Sequence, residues 1–314
     1  MSRRRTSPTV LDRLEFAGYR LFRLVMWLLG RRRTTALVAW VARRLGPVLP
    51  MAKRAHENLQ ARRPELDDAE RKRIIVGLSD NFTRLLLEYL RLKELYAKQA
   101  EWRVEGEEHL EAATAAAGGR MVVVSAHYGN WEAIRAAAGA RGAPLALIYR
   151  AFNNPLIDAE AQRCMAPTGQ PVFHKGKHGA RALFAHVSRK GGAMILVDQR
   201  LGGAPLIDFM GAPAETSLAA AQMAQRIGVP LLPAVARREG EGFVVRFEQP
   251  VEAETPEAAM AEVNARIEAW IDEAPEQWFW LHRRWKIRAV TGGKVRKASA
   301  RQEANSDTAS PGPT

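Results

Sequence analysis

Between residues 120 and 250 the hydrophobic period of the chain switches repeatedly, and few folds accept such a pattern. Val122, Val123 and Val124, the stretches PLALIYR and GGAMILVDQR, and then VPLLPAVARR and GFVVRFEQPV are short, apolar and rich in β-branched residues, so they read as strands. Residues 131–140, the segment after Asn153 and Asn154, the stretch HGARALFAHVSRK and residues 215–228, with Gly228 as the stop, carry helical spacing instead. EAAMAEVNARIEAWIDE closes the region as a long helix, and residues 54–100 read as helical with a break at Pro64. Strands that alternate with helices are covered on both faces. The expected fold is therefore α/β, a mixed, largely parallel sheet flanked by helices. The 314 residues suit one large domain with appendages, and 47% hydrophobic residues can fill its core.

The first strand runs directly into SAHYGNWE. Asn130 followed by Trp131 and Glu132 reads as a capped helix start with an acid in its first turn. His127 then lies at the carboxyl end of a strand, the place where open α/β sheets bind ligands. On a continuous helix two residues five apart diverge by about 140°, so His127 and Glu132 converge only if a turn separates them, which Gly129 permits. A carboxylate on one imidazole nitrogen fixes the tautomer of the ring and leaves the other nitrogen as a base for a hydroxyl proton. Ser125 shares a strand face with His127, but nothing wires it as a nucleophile. Direct attack of an acceptor hydroxyl on a bound acyl group is the simpler chemistry. The alternative is a capping histidine beside a surface glutamate.

Charge narrows the partners. Lys and Arg number 47 against 34 Asp and Glu, a net +13, which points to an anionic partner such as phospholipid headgroups, an acidic carrier or nucleic acid. The single cysteine, Cys164, excludes an intramolecular disulfide and a Cys-rich zinc site. Residues 18–30 and 34–50 are apolar, but arginines interrupt or flank them, and neither block reaches the roughly 20 apolar residues of a spanning helix. Trp27 and Trp40 among those arginines suit helices lying in a membrane interface; an amphipathic face packed on the protein's own core is the alternative. The division expected is a basic, membrane-associating helical segment over 1–50, a catalytic domain over 51–290 and a disordered, polar tail over 291–314.

Five stretches together resemble the bacterial lipid A late acyltransferases of the lauroyl and myristoyl type. They are HYGNWE, NLQARRPEL, ALIYRAFNNPLID, VDQRLGGAPLIDFMGAPAETS and APEQWFWLHRRWK. The first has the H-x4-D/E form of the wider glycerolipid acyltransferases. The resemblance runs from about Arg54 to Arg288. It implies a glycerol-3-phosphate acyltransferase-like fold and transfer of an acyl chain from acyl carrier protein to a hydroxyl of a phosphorylated glycolipid, a lipid A precursor. The place implied is the cytoplasmic face of the inner membrane, and neither metal nor cofactor is required. It implies His127 and Glu132 as the catalytic dyad. After Asp198 the chain reads Asp-Gln-Arg where well-known members have Asp-Gln-Asp, which leaves a phosphoinositide mannoside or an aminolipid open as acceptor.

The substrate-binding candidates are Asn130, Arg150, Asp198, Arg200 and Arg283. Arg150 and Arg200 follow strand ends, and a planar guanidinium fork suits phosphate; a surface ion pair is the alternative for each. Asp198, also at a strand end, can orient His127 or another basic residue, or can cap. In PEQWFWLHRRWK the tryptophans and basic residues suit either internal packing or a lipid interface, with the basic residues the better ligand contacts. The same mixture could stack single-stranded nucleic acid, a rival that leaves His127 idle and has no recognised binding motif behind it. His174 and His178 stand four apart without a third ligand, so they read as a basic loop, not a zinc site.

Overall fold

The computed structural model describes residues 7–166, 169 and 171–285; the expected tail over 291–314 lies outside them. Four helices come first: α1 (Val10–Leu29), α2 (Arg31–Leu45), α3 (Pro50–Arg62) and α4 (Asp68–Tyr89). Thr9 and Asp12 form a capping box on α1, as Asp67 and Glu70 do on α4, so two otherwise orphaned backbone donors are satisfied at each start. A short α5 (Leu92–Tyr96), β1 (Arg103–Glu105) and α6 (Glu107–Ala116) lead into the alternating region. There the order is β2 (Val122–Ser125), α7 (Trp131–Ala140), β3 (Leu145–Tyr149), α8 (Pro155–Met165), β4 (Val172–His174), α9 (Lys177–Arg189) and β5 (Gly192–Leu196). A hairpin of β6 (Leu206–Asp208) and β7 (Pro213–Glu215) precedes α10 (Ala219–Ile227), β8 (Leu231–Glu239), β9 (Gly242–Phe247) and α11 (Pro256–Glu273).

The seven-stranded sheet has the order β1-β9-β8-β2-β5-β3-β4. The five strands from β8 to β4 are mutually parallel; β9 returns antiparallel to β8, and β1 lies parallel to β9. The α/β expectation is met, with a mostly parallel sheet between helices. Val122 and Val124 point into a core shared with α9, α10 and α11, while Val123 points into one shared with α6 and α7. The run of valines is continuous because both faces of β2 are buried. Residues 215–228 were expected to be one helix, but α10 starts only at Ala219, because Pro213–Glu215 pairs with β6 instead. β4 and the β6–β7 hairpin, three residues per strand, are too short to announce themselves by period.

β2 and β5 are adjacent, and their connections leave on opposite faces: α7 packs in one core and α10 in the other. That divergence opens a crevice at the carboxyl ends of the two strands. Gly129 makes the turn out of β2 possible. Its φ is +52°, and a Cβ there would lie 1.9 Å from the carbonyl oxygen of Ala236. Gly129→Ala therefore combines a left-handed backbone with a backbone clash. A loss of about 2–4 kcal/mol in urea unfolding is expected; a loss below about 0.5 kcal/mol would show that the turn can relax.

Candidate functional site

The register of the sheet sets the centre of the site. Val122 pairs with Ala193 and Ser125 with Leu196, so each β2 residue faces the β5 residue 71 positions later. Continued two residues past the pairing, the same offset brings His127 opposite Asp198. The Nδ1 atom of His127 lies 2.7 Å from Oδ1 of Asp198, and the backbone N–H of His127 donates to Oδ2 at 2.9 Å. The indole N–H of Trp278 donates to the same Oδ2 at 2.9 Å. Asp198 is fully buried. Burial pushes its carboxyl up, but the imidazole of His127, its two hydrogen bonds and nearby His282 outweigh that, so it is held well below the usual carboxylate range. An ionised Asp198 makes Nδ1 of His127 the protonated nitrogen and leaves Nε2 facing the crevice as an acceptor.

The segment 275–285 builds the other wall. Gly129 N–H donates to Gln277 O, Phe279 N–H to His127 O, and Tyr128 and Trp278 form an antiparallel bridge. Asn58 on α3 donates to the carbonyl oxygens of Trp280 at 2.6 Å and His282 at 2.9 Å, and Asn81 on α4 to that of Gln277. These bonds fix the His282 ring edge-on to His127, with centroids 4.7 Å apart, and 4.6 Å from Phe279. Trp131 closes the opposite side of His127 at 5.1 Å. The amide nitrogen of Gln199 lies 3.2 Å from Nε2 of His127 and 3.3 Å from Nε2 of His282.

A family model for bacterial lipid A biosynthesis acyltransferases matches residues 8–287. The chain belongs to that family. A lipid A biosynthesis acyltransferase of Haemophilus influenzae is 23% identical over 239 residues, 73% of each chain. An imidazole held by a buried carboxylate, with its other nitrogen towards a crevice, is an arrangement that can serve acyl transfer to a hydroxyl.

The other candidates in this acyltransferase are spread more widely than their sequence pattern suggests. Glu132 is fully buried on α7 and accepts from Tyr89 OH at 3.1 Å, Tyr96 OH at 3.3 Å and Arg135 at 2.7 Å. Arg135, also fully buried, donates its other N–H groups to the carbonyl oxygens of Leu145 and Gly169. The carboxylate at Nδ1 of His127 is thus Asp198, while Glu132 ties α7 to α4 and α5, and Arg135 ties it to β3. Tyr89 OH also accepts from the Trp131 indole at 2.6 Å, which links the Glu132 cluster to the wall beside His127. Asn130 is fully buried: its side-chain oxygen caps α7 and its amide donates to Glu88, itself held by both Nη atoms of Arg238. Arg150 stands exposed at the end of β3, two strands or about 10 Å from β2. Arg200 is ion-paired with Glu215, which ties the loop after β5 to the β6–β7 hairpin. Arg283 is exposed next to His282, whereas Arg284 is fully buried and bonds to Glu215 O and Thr216. Trp278, Trp280 and Trp285 are buried, so these rings are internal packing, contrary to an interfacial or base-stacking use.

Gln199 carried no role in the sequence, and His282 only that of one basic residue among several in PEQWFWLHRRWK, although both lie in stretches that resemble the family. The only available signal for them was position: one follows Asp198 directly, and the other sits in a tryptophan-rich run that must fold back on the sheet.

Burial pushes the His282 imidazole down to about 4, with Asp198 opposing and His127 adding to the shift. The unfolded chain then binds a proton that the folded one does not, between about pH 6.5 and 4, so stability falls as pH falls through that window. The loss amounts to roughly 3 kcal/mol at most. The depressed Asp198 adds its own loss only below about pH 4. His282→Gln should flatten the wild-type slope between pH 6.5 and 4 in urea unfolding, and parallel curves would rule out a buried neutral His282.

Proposed function

We propose that the chain moves a fatty acyl group from acyl carrier protein to a hydroxyl of a phosphorylated glycolipid, a lipid A precursor, at the cytoplasmic face of the inner membrane. The observation that carries this reading is the His127–Asp198 pair, with Nε2 of His127 turned towards the crevice, in a chain of this family. His127 Nε2 takes the acceptor's hydroxyl proton. The resulting oxygen attacks the thioester carbonyl, and the thiol leaves with that proton returned from Nε2. Asp198 holds the tautomer and stabilises the imidazolium while it exists. The amino-terminal end of α7, three residues beyond His127, brings the positive end of its dipole towards the oxyanion.

A chain of methylenes needs a dry slot, and one lies near the site. Phe279, near His127, packs on Phe82 with the rings tilted and their centroids 4.8 Å apart, and Phe82 with Leu281 lines an apolar groove of about 270 Å³ between α2, α3 and α4. A second groove of about 500 Å³, bounded by α1, α4 and α8, includes Tyr89, which packs on Trp131. Two apolar grooves, each linked to His127 through a pair of aromatic rings, suit a donor chain and an acceptor that is itself acylated. Arg150 and Arg283, exposed at this end of the sheet, are placed to meet acceptor phosphate or the acidic carrier.

Membrane contact is supported by α1, α2 and the turn after them. Trp27 and Leu28 are 71% and 67% exposed, and Leu14, Leu21, Leu37, Trp40 and Val48 are exposed with them. No helix among the described residues is long and apolar enough to cross a membrane. Exposed apolar faces edged by Arg13, Arg20, Arg32 and Arg44 fit helices lying in the headgroup region, the role proposed for residues 1–50.

The test is transfer of labelled acyl chains from acyl carrier protein into extracted inner-membrane lipids. Wild type should yield a labelled phosphoglycolipid. His127→Ala should lose about 10³-fold or more, and Asp198→Asn about 10²–10⁴-fold, both with normal folding. Glu132→Gln leaves Arg135 buried without its counter-charge; it should lose about 3 kcal/mol of stability yet still transfer below its melting point. Equal labelling by wild type and His127→Ala would end the proposal. A folded Glu132→Gln as inactive as His127→Ala would give Glu132 the role assigned here to Asp198.

A further inference from the structure

Gln199 occupies the position where an acceptor must stand. Its Nε2 lies 3.2 Å from Nε2 of His127 and 3.3 Å from Nε2 of His282. The Nδ1–H of His127 is committed to Asp198, so Nε2 of the neutral ring is a lone pair. A primary amide has two N–H bonds, enough for one to each imidazole, whereas its oxygen would face the Nε2 lone pair of His127. The side chain is therefore placed as a double donor. A hydroxyl about to lose its proton to His127 must also come within about 3 Å of the same Nε2. Both groups cannot be there together.

We propose that Gln199 is a plug on the catalytic base, displaced by the acceptor hydroxyl, which keeps the enzyme from hydrolysing its acyl donor while no acceptor is bound. The inference rests on the reading of His127 as the base. An amide N–H donates to the lone pair but is far too weak an acid to give up its proton, so it blocks water without becoming a nucleophile. His282 is the post on which the plug is hung. Its ring is wedged against Phe279 and His127, its carbonyl is held by Asn58, and as a neutral imidazole it accepts from the amide. Gln199 itself is exposed, unlike buried Asp198 next to it, so its side chain is free to swing out while the base stays fixed. An acceptor held by further contacts can displace one exposed hydrogen bond; a lone water has no such contacts to draw on. Discrimination between the lipid hydroxyl and water is thereby placed on a residue outside the His127–Asp198 pair.

The experiment uses the full chain and acyl carrier protein charged with labelled chains of several lengths. Fatty acid release is measured without acceptor, and transfer is measured with extracted inner-membrane lipids. Gln199→Ala should raise the ratio of release to transfer about fivefold to tenfold, the factor that one such hydrogen bond supports. The added release should vanish in Gln199→Ala combined with His127→Ala. His282→Phe, which keeps a ring in the same packing but offers no acceptor, should raise the ratio by a smaller factor. An unchanged ratio in Gln199→Ala, or equal losses of release and transfer, would overturn the plug; equal losses would make Gln199 a stabiliser of the transition state. If wild type shows neither transfer nor His127-dependent release, the acyltransfer reading fails and the plug with it. If wild type transfers and only the ratio stays fixed, the plug alone fails.

Discussion

The hydrogen bond between His127 and Asp198 depends on the pairing of β2 with β5, and much of the molecule serves that pairing. Parallel strands run in step, so a fixed offset of 71 residues carries past the last ladder bond and sets the imidazole beside the carboxylate. A slip of one residue would turn each side chain to the other face of the sheet. The buried valines of β2 forbid such a slip, because each is committed to one of two cores. The alignment of His127 with Asp198 is thus inherited from core packing. The same bond explains why Asp198 tolerates full burial: three N–H donors replace the water it has lost.

The segment 275–285 is the second support, and it joins parts of the chain that are far apart in sequence. Asn58 and Asn81 hold its backbone, Trp278 reaches Asp198, and Arg284 reaches Thr216 and Glu215 O on the hairpin side. A loop with so many buried donors behaves as a rigid wall. His282 is then held beside His127 and Gln199 at low entropic cost. This is why one run of sequence holds both the most buried tryptophans of the core and a side chain 4.7 Å from the base.

The sheet was legible in the sequence because its strands are apolar on both faces and its helices carry clear stop signals such as Gly228. His127 was legible for the same reason, since a strand end is marked by where the valines stop. The partner of His127 was not. The pattern H-x4-E draws attention to Glu132, a near neighbour, but α7 turns that residue away into a nest of Tyr89, Tyr96 and Arg135. Asp198 stood at another strand end as one candidate to orient His127 among other uses, and nothing local chose it, because which strand lies beside β2 is a fact of topology and not of local sequence. β5 follows β2 by some seventy residues and two intervening strands. The β6–β7 hairpin escaped for a different reason: three-residue strands carry too little period to be read.

The buried Glu132–Arg135 pair gives the motif a use that its spacing alone does not reveal. Two full charges in a dry interior are stable only if every remaining donor and acceptor is met. Here Arg135 spends its other N–H groups on the backbone of β3 and the loop before β4, and Glu132 takes two tyrosine hydroxyls. The cluster therefore fixes α7 relative to the sheet edge, and through Tyr89 it fixes Trp131 against the His127 ring. A glutamate five residues after His127 can thus matter to the fold without touching the His127 ring. It sets the rotation of the helix whose first turn faces the reaction, and Asp198, on the neighbouring strand, sets the base itself.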